Sequence, residues 1–336
     1  MKRVVGALAL GTLACAAHAQ SSVTLYGIID GGVRYTNNGH GAVATTSTNG
    51  WLSSSRFGFI GHENLGGGWK ANFVLEAGFN ESTGAFDNTT GILFNRQSYV
   101  GLSGPYGQFT MGRQYNIPHD LMFVLDTFNL QYPSIVPISP ALVGIHYNND
   151  VKYKGDFGPV RVSAENSFGG VAGNFNDASA RSVGLQYKTA WVILGGFYTH
   201  RSVASGTVYL PDDFWAVGAK FTAGGLKLSA GLMNENEGGN AKTAPVRTEN
   251  WFGGVTYDIN AAVRVGGAFY ETNLPNTSGR RDLGILSVTY SLSKRTMLFA
   301  ETDYTRYHGS YITNATLNAQ HADHQIAATV GIDHTF

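Results

Sequence analysis

Near the C-terminus His308, His321, Asp323 and His324 have the residue types of a metal site. His321 and His324 are three apart, however, and on a strand such a pair points to opposite faces. Loop histidines and no metal are therefore the expectation. Hydrolysis needs a nucleophile beside a base. Ser, His and Asp all occur, but no G-x-S-x-G is present and no arrangement singles out such a pair, so no catalytic residue is assigned. Gly66, Gly67 and Gly68 precede no helical pattern and read as a turn, not as a phosphate cradle. What remains is charge. Residues 116–144 form a long, apolar, proline-containing stretch (Pro118, Pro133, Pro137, Pro140) with Asp120 and Asp126, and no Lys or Arg lies between Arg113 and Lys152.

The elements that must position these charges are strands. At the C-terminal end Phe336, His334, Ile332, Val330, Ala328 and Ile326 alternate with Thr335, Asp333, Gly331, Thr329, Ala327 and Gln325. A period of two with one mostly apolar face is a β-strand. The same pattern recurs where Val23, Leu25, Ile29, Val33 and Tyr35 oppose Thr24, Tyr26, Asp30 and Arg34, and around residues 70–79, 160–165, 182–188 and 251–259. Two segments resist it: 191–198 is apolar on both faces, and 296–303 alternates poorly. A neighbouring subunit or a misread register would explain either.

Links between the strands alternate in length. Short ones are expected at 65–68, 104–107, 155–159, 223–225 and 258–260. Long polar ones are expected near 38–50, 82–91, 169–180, 202–212, 237–248, 273–280 and 308–322. Short turns on one side and long loops on the other describe an up-and-down transmembrane barrel.

The start of the chain reads as an export signal. Met1, Lys2 and Arg3 precede an apolar core, and Ala17-His18-Ala19 offers small residues where a signal peptidase reads. The expected division is a signal at 1–19 and a barrel domain at 20–336. Cys15, the only cysteine, would leave with the signal, excluding disulfide and thiol chemistry from the mature chain. Losing Lys2 and Arg3 from 23 basic residues leaves 21 against 23 acidic ones. Such near-neutrality argues against nucleic acid as a partner. Forty-four glycines, 12% aromatic residues and only nine prolines favour many strands and turns.

At roughly 20 residues per strand and connection, the 317 residues after Ala19 hold about sixteen strands. In hydrocarbon a free backbone amide has no partner, so strands must close into a ring. Eight strands are filled by their own side chains, whereas sixteen leave an aqueous lumen. The stretch at 116–144, folded against the inner wall, would narrow that lumen.

Several motifs then resemble those of Gram-negative general porins, most closely the β-proteobacterial type. They are Ser22-Val23-Thr24-Leu25-Tyr26-Gly27, Ser55-Arg56-Phe57-Gly58-Phe59-Ile60-Gly61 with Glu63-Asn64-Leu65-Gly66, Arg96-Gln97-Ser98-Tyr99-Val100-Gly101-Leu102, Gly112-Arg113-Gln114-Tyr115, and the terminal Phe336. The resemblance implies an all-β, sixteen-stranded antiparallel barrel in the outer membrane, assembled as a homotrimer, with the long third loop folded into the lumen. It implies a constriction with a basic wall at Arg56, Arg96 and Arg113, Arg34 being a weaker member, facing loop carboxylates at Asp126 and Asp120. It also makes Phe336 the signal for outer-membrane assembly machinery, with lipid and lipopolysaccharide as surroundings. Where many relatives carry Arg after the loop, this chain reads Ile145-His146-Tyr147-Asn148-Asn149. His146, on the polar face with Asn148, Asp150 and Lys152, then replaces a fixed charge with a titratable one.

For Arg56, Arg96 and Arg113 the plain alternative is pairing with wall carboxylates such as Glu76. By alternation with Phe109 and Met111, Arg113 falls on the apolar set unless its strand is irregular. The expected function is passive diffusion of small hydrophilic solutes and ions, without cofactor. A lipid-acting barrel enzyme and a non-conducting adhesin barrel are the alternatives.

Overall fold

The computed structural model describes residues 22–132, 144–240 and 244–336. The export signal and Pro133, Pro137 and Pro140 lie outside the described residues. Strands β1 (Ser22–Asn37), β2 (Ala42–Thr46), β3 (Arg56–Gly66), β4 (Trp69–Gly78), β5 (Gln97–Gly104) and β6 (Gly107–Tyr115) precede helix α1 (Ile117–Leu125). After it come β7 (His146–Phe157), β8 (Val160–Ser167), β9 (Ala180–Lys188), β10 (Val192–Ser205), β11 (Val208–Ala223) and β12 (Leu226–Glu237). The chain ends with β13 (Val246–Asp258), β14 (Val263–Leu274), β15 (Gly279–Ser291), β16 (Thr296–His308) and β17 (His324–Thr335).

Neighbours pair antiparallel throughout, and β17 returns to β1 with Ile29 opposite His334 and Val33 opposite Val330. The first half of β1 pairs with β3 and its second half with β2. The 17 strands of the sheet therefore fill sixteen positions of one closed ring. Closure satisfies every ladder and leaves no edge. The terminal residue completes it: Phe336 N–H donates to Gly27 O at 3.0 Å and Gly27 N–H to Phe336 O at 3.1 Å.

Burial is inverted relative to a water-soluble domain. Val23 and Val330 are 64% and 60% exposed, with Leu25, Val183 and Leu286 also on the outside. Asp30, Arg34, Asp150, Glu165 and Thr329 are buried on the other face. A belt of this kind is stable only against hydrocarbon or another apolar surface. Among the described residues no helix is long and apolar enough to cross a membrane.

Two expectations change. The link expected at 202–212 is a hairpin: β10 and β11 pair out to Ser205 and Val208. Its polarity reflects strands that run past the apolar belt. The doubly apolar segment 191–198 needs no neighbouring subunit on its second face. Ile193 and Phe197 join the buried cluster that contains Ile117, Leu121 and Leu125 of α1. Glycines make room for the helix. A Cβ on Gly184 of β9 would lie 2.7 Å from Leu121 and 2.8 Å from Ile117. Gly184→Val should therefore cost about 1–3 kcal/mol through overpacking, read as a lower denaturation temperature in detergent. An unchanged temperature would mean that α1 is not held on this face.

Candidate functional site

Helix α1 begins with a side-chain cap, as Asn116 Oδ1 accepts from His119 N–H at 2.9 Å. The Glu165 carboxyl on β8 accepts from Ile117 N–H at 2.9 Å, satisfying one of the free donors at the start of the helix. Asn116 also ties the start of the loop to its end, donating to Gly144 O at 2.9 Å. With Ile117, Leu121 and Leu125 packed on the strands, His119, Asp120 and Phe123 are left to line a cavity of about 750 Å³. Arg56, Arg96 and Tyr115 also line it, together with residues 48–54 and 129–132.

Tyr115 organises the basic side. Its hydroxyl accepts from Arg56 Nη1 at 3.3 Å and from Arg96 Nη2. Arg96 is neutralised by Glu76 at 2.9 Å, with Asp87 at 4.0 Å, so the plain pairing alternative holds for this residue. Arg56 has no carboxylate partner among the described residues; its Nε donates to Ser54 O at 2.8 Å. Asp120 is the acidic group at the cavity, and Lys152 and Lys154 reach it at 3.1 and 2.6 Å. Burial alone would raise its carboxyl, but those two ammoniums hold it well below the usual carboxylate range.

The remaining expected residues stand elsewhere. Asp126 does not line the cavity. It is 1% exposed, and its oxygens accept from Tyr270 Oη at 2.6 Å and from the N–H groups of Phe128 and Leu130, both at 2.9 Å. Burial raises its carboxyl above the ordinary range against the pull of those donors. Asp126 therefore ties the loop to Tyr270 of β14 from outside the cavity. Arg34 lies on the inner wall but is locked to Glu301 at 3.2 Å and to Asp303, under Trp51.

A bulge accounts for Arg113 and His146. Gly112 pairs with Asp150 and Gln114 with Tyr147, so Asn148 and Asn149 together oppose Arg113. Asn149 takes φ of 49°. The irregularity frees Arg113 from the apolar set: it donates to Asn148 Oδ1 at 2.6 Å and to Asn95 O, and has no carboxylate partner among the described residues. It also carries His146 away from Asp150 and Lys152. His146 instead packs tilted against Tyr115, ring centres 4.3 Å apart, and does not line the cavity.

Sequence reasoning missed Lys154 and Tyr115, and gave Lys152 a face without a partner. A usable signal existed: a loop with two carboxylates and no cation must draw its counter-charges from the wall. Among the described residues no group of three or more His, Cys, Asp or Glu is placed to hold a metal ion.

A closed antiparallel ring of sixteen positions, apolar outside and charged within, defines a membrane-spanning pore barrel. Residues 6–310 match the model of the Gram-negative porin family, and the chain belongs to that family. It is 28% identical over 403 aligned residues to an outer membrane porin protein of Bordetella pertussis, covering all of both chains. Among solved structures it is similar to the anion-selective porin from Comamonas acidovorans, with a TM-score of 0.81, 22% identity and coverage of 94% of this chain and 100% of that one. An outer membrane protein of Vibrio cholerae in its trimer form matches with a TM-score of 0.71 and 13% identity, covering 94% and 99%. The protein is thus a channel of the outer membrane.

Proposed function

We propose that residues 116–132 fold into the lumen and, with Arg56 and Arg96, form a constriction that passes small hydrophilic solutes and mildly favours anions. The observation that carries this is a charge imbalance at the cavity. Glu76, Asp87 and Asp120 are engaged by Arg96, Lys152 and Lys154, which leaves the Arg56 guanidinium without an ion pair of its own, Glu76 and Asp333 reaching it only at longer range. Rings of fixed charge at a narrow opening set mild selectivity. Arg34 adds no positive charge to the lumen, since two carboxylates, Glu301 and Asp303, outnumber its one guanidinium. The activity is passive diffusion and not catalysis. The trimer form of the Vibrio cholerae protein supports assembly as a homotrimer. Phe336, closing the ring with its ring against Gly27, is proposed as the determinant read by the assembly machinery.

The test is the zero-current potential of reconstituted channels across a KCl gradient. Its sign should indicate chloride preference, and a cation-selective wild type would end the reading. Asp120→Asn releases both lysines and should enlarge the preference. The pH dependence has a definite sign. Because the folded value of Asp120 is depressed, its bridges are complete above the ordinary carboxylate range and fail only as pH falls through that lower value. Acidification from pH 7 to 5 should not alter selectivity through this group.

A further inference from the structure

The constriction holds more than charge. His146, Tyr115, His119 and Phe123 form a continuous ladder of rings. Successive centroids are 4.3, 3.9 and 6.0 Å apart, with interplanar angles of 32°, 12° and 28°. Three members come from three different places in the chain: the start of β7, the end of β6 and the first turn of α1. Burial pushes the His119 imidazole below its ordinary value, so that rung is a neutral ring near neutral pH. The last rung ends in the cavity. Phe123 is 45% exposed there, although the other apolar side chains Ile117, Leu121 and Leu125 of the same helix are buried. Leu130 and Trp51 continue the apolar side, and Arg56 faces the same space without a carboxylate partner.

Resting on the constriction proposed above, we infer that the cavity is a subsite for planar aromatic monocarboxylates, the ring stacking on Phe123 and the carboxylate meeting Arg56. Charge complementarity fixes the sign and number: one unmatched guanidinium calls for one carboxylate. The ladder fixes the shape, because offset-stacked rings add attraction beyond their buried area. A sugar would leave the guanidinium unmatched, and a small inorganic anion would leave Phe123 in water.

The probe is benzoate, added to full-length channels in planar bilayers carrying chloride current, with acetate and cyclohexanecarboxylate for comparison. Benzoate should halve the current at a concentration about two- to tenfold below that of either, the size of one ring–ring contact. Phe123→Leu keeps bulk on the helix and should erase the difference, whereas Phe123→Tyr should restore it. Equal potency of benzoate and cyclohexanecarboxylate, or a wild-type ratio in Phe123→Leu, overturns the subsite. The constriction itself is judged separately: chloride preference with no benzoate effect leaves it standing, and absence of chloride preference removes it whatever benzoate does.

Discussion

Asp126→Ala should raise unit conductance and make the open channel noisy while the barrel stays folded. The carboxylate is 1% exposed and accepts three hydrogen bonds, from the Tyr270 hydroxyl at 2.6 Å and from Phe128 and Leu130 N–H at 2.9 Å. Alanine leaves those donors buried without a partner. Each buried donor left without a partner costs about 1–3 kcal/mol, so the loss is about 3 kcal/mol or more. The other ties of this segment include the Gln131 Nε2 bond to Ser53 Oγ at 3.5 Å and the packing of Phe128 and Tyr132 in the buried cluster. Lys220 donates to Asp126 O at 2.6 Å and to Asn129 Oδ1 at 2.9 Å, and Tyr132 N–H donates to Leu52 O at 3.2 Å. Residues 126–132 should therefore detach. The ring does not depend on them, because its ladders run from strand to strand. Asp126→Asn keeps an acceptor oxygen in the same shape and should give a smaller rise. Wild-type conductance and noise in Asp126→Ala would show that the loop is held by something else.

The barrel was legible because a membrane sorts side chains by face. Val23, Leu25, Ile29 and Val33 read as one environment and Asp30 and Arg34 as another, and the exposed and buried sets divide in that way. Alternation fails where a further element packs on the second face of a strand. Segment 191–198 is apolar twice over because one side belongs to the exposed apolar belt and the other packs on α1, and no local pattern distinguishes a helix from a neighbouring subunit as the cover.

The site was less legible because charge type does not reveal direction. Asp120 and Asp126 are six residues apart on one loop, yet one lines a cavity and the other is its buried anchor. A single extra residue opposite Arg113 shifts the phase of β7, moving His146 off the face that counting by twos gives it. Only the bulge decides this, and Asn148-Asn149 signals it weakly through the tolerance of Asn for the left-handed region.

Arg56→Glu should produce the largest change in selectivity. Its guanidinium donates to the Ser54 carbonyl and the Tyr115 hydroxyl, and among the described residues no carboxylate is within ion-pair distance of it, Glu76 and Asp333 acting from farther away. Inversion changes the local charge by two units and sets a carboxylate beside Arg96, which already meets Glu76 and Asp87. Two unit charges at about 8 Å in a water-like medium are worth about 1 kcal/mol to a monovalent ion. The sign is opposite for K⁺ and Cl⁻, so the chloride-to-potassium permeability ratio should fall about tenfold or more, enough to turn a mild anion preference toward cations. Raising the salt shortens the Debye length and should shrink the difference. Arg113→Ser should act more weakly, since Asn95 and Asn148 hold that guanidinium away from the cavity. Equal zero-current potentials in the wild type and Arg56→Glu would take Arg56 out of the selectivity-setting charges and, with it, the imbalance from which anion preference is argued.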